Sequence, residues 1–149
     1  MSGYWFICLI AMAVGSPDGH AAQIGVAGGK LPACPDSPNC VSSQSSDKQH
    51  AVEPLRYEGS AETALRQLIE AVRGMKRAKV VYSDTRYVHA AFTSFLFRFV
   101  DDVEFLLDEG TKTIHLRSAS RVGYSDLGVN RRRAEEIRTR FDAIRNKKI

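Results

Sequence analysis

The sequence predicts an α+β fold: an antiparallel sheet of four to five strands with two helices packed on one face. Three observations predict it. From Ser60 to Met75, and again from Glu135 to Arg145, apolar residues recur at three and four, the period of an amphipathic helix. Between these segments lie stretches rich in β-branched and aromatic residues, joined by links of only a few residues. Links that short make neighbouring strands antiparallel, and helices at two points flanking such a sheet belong on one of its faces. A chain of 149 residues, 44% hydrophobic and 26% charged, has the size and balance of one globular domain rather than a disordered segment.

The amino-terminal residues differ from the rest. Tyr4 to Gly15 is a nearly unbroken apolar run, followed by Ser16, Pro17 and the small residues Ala21 and Ala22. The run is too short to span a bilayer, which takes about 18 apolar residues. Its length and flanks fit a secretory signal peptide over residues 1–22, although no basic residue precedes it. Cleavage is expected near Ala21 or Ala22, discarding Cys8, with an exported, periplasmic or envelope-associated mature chain. A buried N-terminal helix, a mis-assigned start and an apolar segment kept as an anchor are the alternatives. Without residues 1–22 the chain keeps 21 basic residues against 16 acidic ones, since only Asp18 is lost, for a net charge of +5. The excess is local: Arg117 to Ile149 alone carries +6. Such a patch attracts an anionic ligand, a lipid headgroup or an acidic protein; export disfavours nucleic acid.

Residues 23–50 read as a lead-in. Gln23 to Leu31 is rich in Gly and Ala and is expected to be flexible. Cys34-Pro35-Asp36-Ser37-Pro38-Asn39-Cys40 follows, full of turn formers. In an exported chain the two cysteines are expected to close a small disulfide ring, worth roughly 2 kcal/mol in the chain-entropy model. Half of a metal site with His50, or a nucleophilic thiol, are the other readings. Val41 to Gln49 is polar and reads as loop.

The domain proper is expected over residues 51–149. Ala51 to Tyr57 reads as a short edge strand, because Pro54 would spoil a central one. Ser60 caps the first helix, Glu62 suits its dipole, and Ala61, Leu65, Leu68, Ile69, Val72 and Met75 form its buried face. Strands are predicted over Ala78 to Tyr82, Tyr87 to Phe95, Phe97 to Leu107 and Lys112 to Ala119, with turns at Ser83–Arg86 and Asp108–Thr111. In the last helix Ala134, Ile137, Phe141 and Ile144 face inward. Arg131, Arg138 and Arg145 lie on the outer face, and Glu136 pairs with Arg140.

Two oddities mark a polar centre. Alternation puts Asp101 on the same face as Phe97, Phe99, Val103, Phe105 and Leu107. An unpaired buried carboxylate is very costly, so Asp101 needs a cationic partner or a bulge that turns it outward. An arginine from the Arg117–Arg133 stretch is the natural partner for Asp101 or Asp102. Second, with Asn130 as N-cap, Arg131, Arg132 and Arg133 fill the first turn of the last helix, the wrong sign for a helix N-terminus. Carboxylates of the chain or a bound anion must offset them. A buried Asp–Arg–Ser–Asn network accounts for all of these residues. An anion site, a catalytic site, or a metal site at Asp101, Asp102 and Glu104 are the other readings. Zinc spacing, a phosphate-binding loop, a dinucleotide fingerprint and a nucleophile elbow are absent from the sequence, and no cofactor is implied. His89 and His115 read as ordinary strand residues.

Three motifs carry a resemblance. They are Cys34 to Ser43 (Cys-Pro-Asp-Ser-Pro-Asn-Cys-Val-Ser-Ser), Arg98 to Phe105 (Arg-Phe-Val-Asp-Asp-Val-Glu-Phe), and Arg117 to Arg133 (Arg-Ser-Ala-Ser-Arg-Val-Gly-Tyr-Ser-Asp-Leu-Gly-Val-Asn-Arg-Arg-Arg). Over about residues 31 to 146 the chain resembles the domain-of-unknown-function family DUF1499. The resemblance implies a small, mostly bacterial, often exported or membrane-linked protein with no established activity. It marks Asp101, Asp102, Arg117, Ser118, Ser120, Arg121, Tyr124, Asp126, Asn130 and Arg131 as signature positions.

Two functions are weighed from these residues. One is a non-catalytic binding or scaffold module whose pinned Arg-rich loop meets an anionic ligand, lipid headgroup or acidic partner. The other is a hydrolase of an ester or phosphoester with Asp101 or Asp102 as base. A third idea is envelope association through Arg138, Arg145, Lys147 and Lys148.

Overall fold

The computed structural model of the chain describes residues 23–147. The apolar run at Tyr4–Gly15, Cys8, the expected cleavage site and Lys148 lie outside them. The elements, in chain order, are β1 (Cys40–Ser42), β2 (Leu55–Arg56), α1 (Ala61–Arg73), β3 (Ala78–Ser83), β4 (Tyr87–Thr93), β5 (Val100–Asp108), β6 (Thr113–Ser120) and α2 (Val129–Asn146). The six strands form one antiparallel sheet in the order β1-β6-β5-β4-β3, with β2 also paired to β6. The α+β class holds, with one strand more than the upper count expected. The extra strand is β1, inside the segment read as loop. Its three residues are all buried against β6, with Val41 opposite Ser118.

The core lies between the sheet and the two helices. Val103, Phe105 and Leu107 of β5 and Ile114 and Leu116 of β6 are fully buried under Leu68 and Val72 of α1 and Ala134, Ile137 and Phe141 of α2. Each such side chain contributes about 1.5–3 kcal/mol of burial. Ser60 caps α1, accepting the Thr63 N–H at 3.2 Å, and Glu62 and Arg73 sit at the ends where the helix dipole favours them.

Two boundaries depart from the sequence pattern. The strands expected at Tyr87–Phe95 and Phe97–Leu107 stop at Thr93 and start at Val100, and the residues between them form a turn. Ser94 closes that turn: its N–H donates to the Phe99 carbonyl at 2.8 Å and its hydroxyl accepts the Phe99 N–H at 2.9 Å. Arg98 adopts φ +55°, which breaks the alternation, so Phe97 and Phe99 are exposed instead of facing the core.

Among the described residues the second face of the sheet carries no helix. The segment from Gln23 to Asn39, expected to begin as a flexible lead-in, lies along it. Gly25 N–H donates to Glu104 at 2.6 Å, and the Gln23 carbonyl accepts from Arg117 at 3.3 Å. The Cys34–Cys40 disulfide is formed, with Cα atoms 5.6 Å apart, and ties this segment to β1.

Candidate functional site

Two adjacent acids on one strand point to opposite faces, and β5 uses this. Asp101 falls on the helix side and Asp102 on the other, with Glu104 beside Asp102. All three carboxylates are buried and all three are paired with arginine. The ten signature positions therefore divide into two groups with the sheet between them.

On the helix side, Asp101 accepts from Arg133 Nη2 at 2.6 Å. The other Nη of Arg133 donates to Asn130 Oδ1 at 2.7 Å and Ser118 Oγ at 3.1 Å. Asn130, wholly buried, is the hub. Its amide nitrogen donates to the Asn39 carbonyl (3.0 Å), Ser120 Oγ (3.0 Å) and Asp126 Oδ2 (2.8 Å), and its Oδ1 also accepts from Ser118. Asn130 is thus not the N-cap. Gly128, at φ +77°, is the N-cap instead, so that α2 begins at Val129, two residues earlier than expected. The Asp126 carboxylate caps the helix from outside, accepting Gly128 N–H at 2.9 Å and Asn130 N–H at 2.7 Å.

That carboxylate also supplies the negative charge the first turn lacks. Arg133 is taken by Asp101, and Arg132 donates to the Leu127 carbonyl at 2.9 Å. Arg131 donates to the carbonyls of Ala51 and Gln49, both at 2.7 Å. One turn-pair further on, Arg138 donates to the carbonyls of Pro54 and Glu53, and Arg145 to that of Arg56 at 2.7 Å. The three arginines spaced by seven clamp the 49–56 segment onto α2. They are not a free outer face, so no anion is needed to balance them.

On the helix-free side the arrangement differs. Arg121 holds Asp102 with two parallel bonds, Nε to Oδ2 and Nη2 to Oδ1, each 2.8 Å, and His89 Nε2 lies 2.7 Å from Oδ1. Burial opposes the charged form of Asp102. The hydrogen bonds and charge of Arg121 and His89 outweigh it and hold the carboxyl below its ordinary pKa. Such a group keeps its charge and is a poor proton acceptor near neutrality. Glu104, fully buried, accepts Gly25 N–H and Tyr87 O–H on one oxygen and Arg117 Nη1 at 3.0 Å on the other. Burial, then the adjacent Glu104, push the Tyr87 phenol far above its usual value, so it stays a donor. Arg117 Nε is buried with no hydrogen-bond partner.

Of these groups Asp102, Arg117 and Arg121 line an open depression of about 1500 Å³, together with the disulfide loop and Tyr124. Tyr124 is exposed at its edge. Asn39 joins the two walls, its side-chain amide donating to the Gly123 carbonyl and its own carbonyl accepting the Ser120 N–H. Of the residues on this side, sequence reasoning singles out Asp102, Arg117, Arg121 and Tyr124, names Glu104 only as a metal-ligand candidate, reads His89 as an ordinary strand residue and misses Tyr87 and Asn39. The period-two rule carried a usable signal, because Glu104 shares a face with Asp102. Among the described residues no three His, Cys, Asp or Glu side chains converge as metal ligands, and Asp101 is split by the sheet from Asp102 and Glu104.

Comparison with known proteins adds one finding. A family model described as "Protein of unknown function (DUF1499)" matches residues 30–141, most of the chain, and the chain belongs to that family. No curated protein and no solved structure matches it.

Proposed function

We propose that this member of the DUF1499 family is a non-catalytic binding module that takes a small anionic ligand, a carboxylate or phosphate, in the depression on the helix-free face. The observation that carries the reading is an imbalance of hydrogen-bonding capacity. The acceptors at the floor are used: Glu104 has three donors and Asp102 has Arg121 and His89. The donors are not used up. Arg117 Nε is buried without a partner, and Arg121, with its side chain 47% exposed, makes no bond through Nη1 among the described residues. A ligand that satisfies them must bring acceptors, and an anion does so with charge-assisted bonds. Loop residues 121–124 are tied down by the Arg121–Asp102 pair and by the Asn39 amide on the Gly123 carbonyl, which lowers the ordering cost of binding.

The reading also places the module outside the reducing cytosol, since an oxidising compartment keeps a disulfide such as Cys34–Cys40 intact. Recovery of the chain from the cytosolic fraction with Cys34 and Cys40 reduced would remove the export part of the proposal.

The binding test is calorimetric titration with phosphate, sulfate, acetate and citrate in low-salt buffer, against wild type, Arg121→Ala and Arg132→Ala. Binding of at least one anion, weakened about tenfold or more by Arg121→Ala and unchanged by Arg132→Ala, is expected, since losing a charge-assisted pair removes roughly 1.5–3 kcal/mol. Equal affinity for wild type and Arg121→Ala would place the anion elsewhere and end the proposal.

A further inference from the structure

The turn between β4 and β5 has no role in either polar network. It carries Phe95, Leu96, Phe97 and Phe99, which are 78%, 72%, 68% and 52% exposed. Large apolar side chains in a row at the tip of a hairpin are unlike the scattered apolar residues of an ordinary surface. The turn itself is well built. Ser94 closes it, Phe97 and Phe99 stack with ring centroids 5.6 Å apart, and the Arg77 guanidinium lies 5.5 Å from the Phe95 ring centroid.

The charge carried by this turn and by the end of α1 beside it has one sign. Residues 94–100 contain Arg98 and no acid, and Lys76 and Arg77, both exposed, stand at the neighbouring end of α1, where Arg77 Nε donates to the Thr93 carbonyl at 3.1 Å. The nearest acids in sequence, Asp101 and Asp102, are buried and neutralised by arginine. The loop after β6 starts beside the tip, with Arg121 N–H donating to the Val100 carbonyl, and it adds exposed Val122 and Tyr124 at the same end of the sheet.

We propose that the Ser94–Val100 turn is a membrane-docking tip, which inserts its phenylalanines and Leu96 into the interface of an anionic lipid bilayer while Arg98, Arg77 and Lys76 meet the headgroups. Aromatic rings at the acyl–headgroup boundary with cations just above them is the arrangement that interfacial binding favours. A projecting turn fits a yielding surface such as a bilayer; the concave complement that a protein partner would need is not required. Among the described residues no helix is long and apolar enough to cross a membrane. It stands on observations separate from the anion site and survives if that site binds nothing. If both hold, the depression opens beside the bilayer surface, since Val122 and Tyr124 line it.

Amide hydrogen exchange of the full chain tests this, because it reports residue by residue. Binding through another part of the molecule does not mimic protection of this turn. The backbone N–H groups of residues 95–98 make no hydrogen bond among the described residues, so they exchange fast in buffer. Vesicles of phosphatidylglycerol and phosphatidylcholine are expected to slow residues 95–99 at least fivefold, and vesicles of phosphatidylcholine alone much less. Phe95→Ser/Phe97→Ser should abolish the protection while leaving the melting temperature unchanged, as both side chains are exposed. Unchanged exchange with anionic vesicles overturns the proposal, as does equal protection by neutral ones. Protection that grows with protein concentration in vesicle-free buffer also overturns it, and assigns the tip to a second copy of the chain.

Discussion

Replacing Asn130 with Asp changes one group, the side-chain NH₂ to an oxygen, and keeps the shape. The amide nitrogen donates to the Asn39 carbonyl, Ser120 Oγ and Asp126 Oδ2. An aspartate at this place donates to none of them when ionised, and it faces the Asp126 carboxylate at a spacing that is 2.8 Å in the native chain. The NH₂ carries two hydrogens, so the three acceptors share them: one neutral hydrogen bond is worth about 0.5–1.5 kcal/mol and one to a charged acceptor about 1.5–3, and the repulsion of two facing carboxylates adds to the loss. A stronger, charge-assisted bond from Arg133 to the new carboxylate returns about 1 kcal/mol. The net expectation is a loss of about 3 kcal/mol at pH 7, visible as a lower urea midpoint with unchanged slope and a melting temperature lower by roughly 10 °C. Because the loss is tied to a charge, lowering the pH toward 5 should return part of it as the new carboxyl protonates and becomes a donor. Asn130→Asp within 1 kcal/mol of wild type at pH 7 would refute the view that Asn130 holds the stretch in place.

Arg117→Met leaves Glu104 buried with only the Gly25 N–H and Tyr87 O–H, and should destabilise by about 3 kcal/mol in urea unfolding; Arg117→Met with Glu104→Gln should be closer to wild type, because no charge is then stranded. A single variant that unfolds like wild type would show the pair to be dispensable. Acid should weaken the fold in two windows. Asp102 has a depressed pKa in the folded state, so the unfolded chain takes the proton first. Its contribution is complete above about pH 5 and drains as pH falls through about 4 toward the folded value. Burial, outweighing the opposing charge of Asp108, lowers the His115 pKa, so its contribution is present above about pH 6.5 and drains below it. Melting curves from pH 8 to 3 should flatten in the lower window for Asp102→Asn and in the upper for His115→Gln, and an unaltered pH profile in either variant would contradict its assignment.

The parts of the fold legible in the sequence were those set by local periodicity. The stripe at Ala61–Met75 and the inner face of α2 follow from residues within two turns of one another, and so does the placement of Asp101 among apolar neighbours. What stayed hidden depends on distant chain. β1 exists because Val41 meets Ser118, and Cys40–Ser42 alone shows no alternation to announce it. The turn at Ser94–Phe99 was read as strand because phenylalanine favours strands, yet a single serine and an arginine at φ +55° outweighed that propensity. Glu104 enters the sequence reading only as a metal-ligand candidate, and an antiparallel sheet commonly leaves its second face to water. Here Gly25, 79 residues away, covers it, and no pattern within β5 carries that information.

The pairing of adjacent acids explains more of the signature than either acid alone. Asp101 and Asp102 face opposite sides of β5, and the arginines that answer them, Arg133 and Arg121, come from the two ends of one connection. That connection therefore straddles the edge of the sheet, held by charge on each side. Between the two ion pairs Asp126 fixes the start of α2, and Asn39 ties Gly123 and Ser120 to the disulfide loop. A segment pinned at this many points has already lost its conformational freedom on folding. Its loss on binding is then small, and only the Arg121 side chain, 47% exposed, has to shift toward a ligand. The same construction couples the faces: drawing Arg121 away from Asp102 toward a guest pulls on a loop whose far end is Arg133, beneath α2. An anion that binds the depression should then alter exchange at the first turn of α2 across the sheet, and binding that leaves that turn untouched would show the two clamps to be independent.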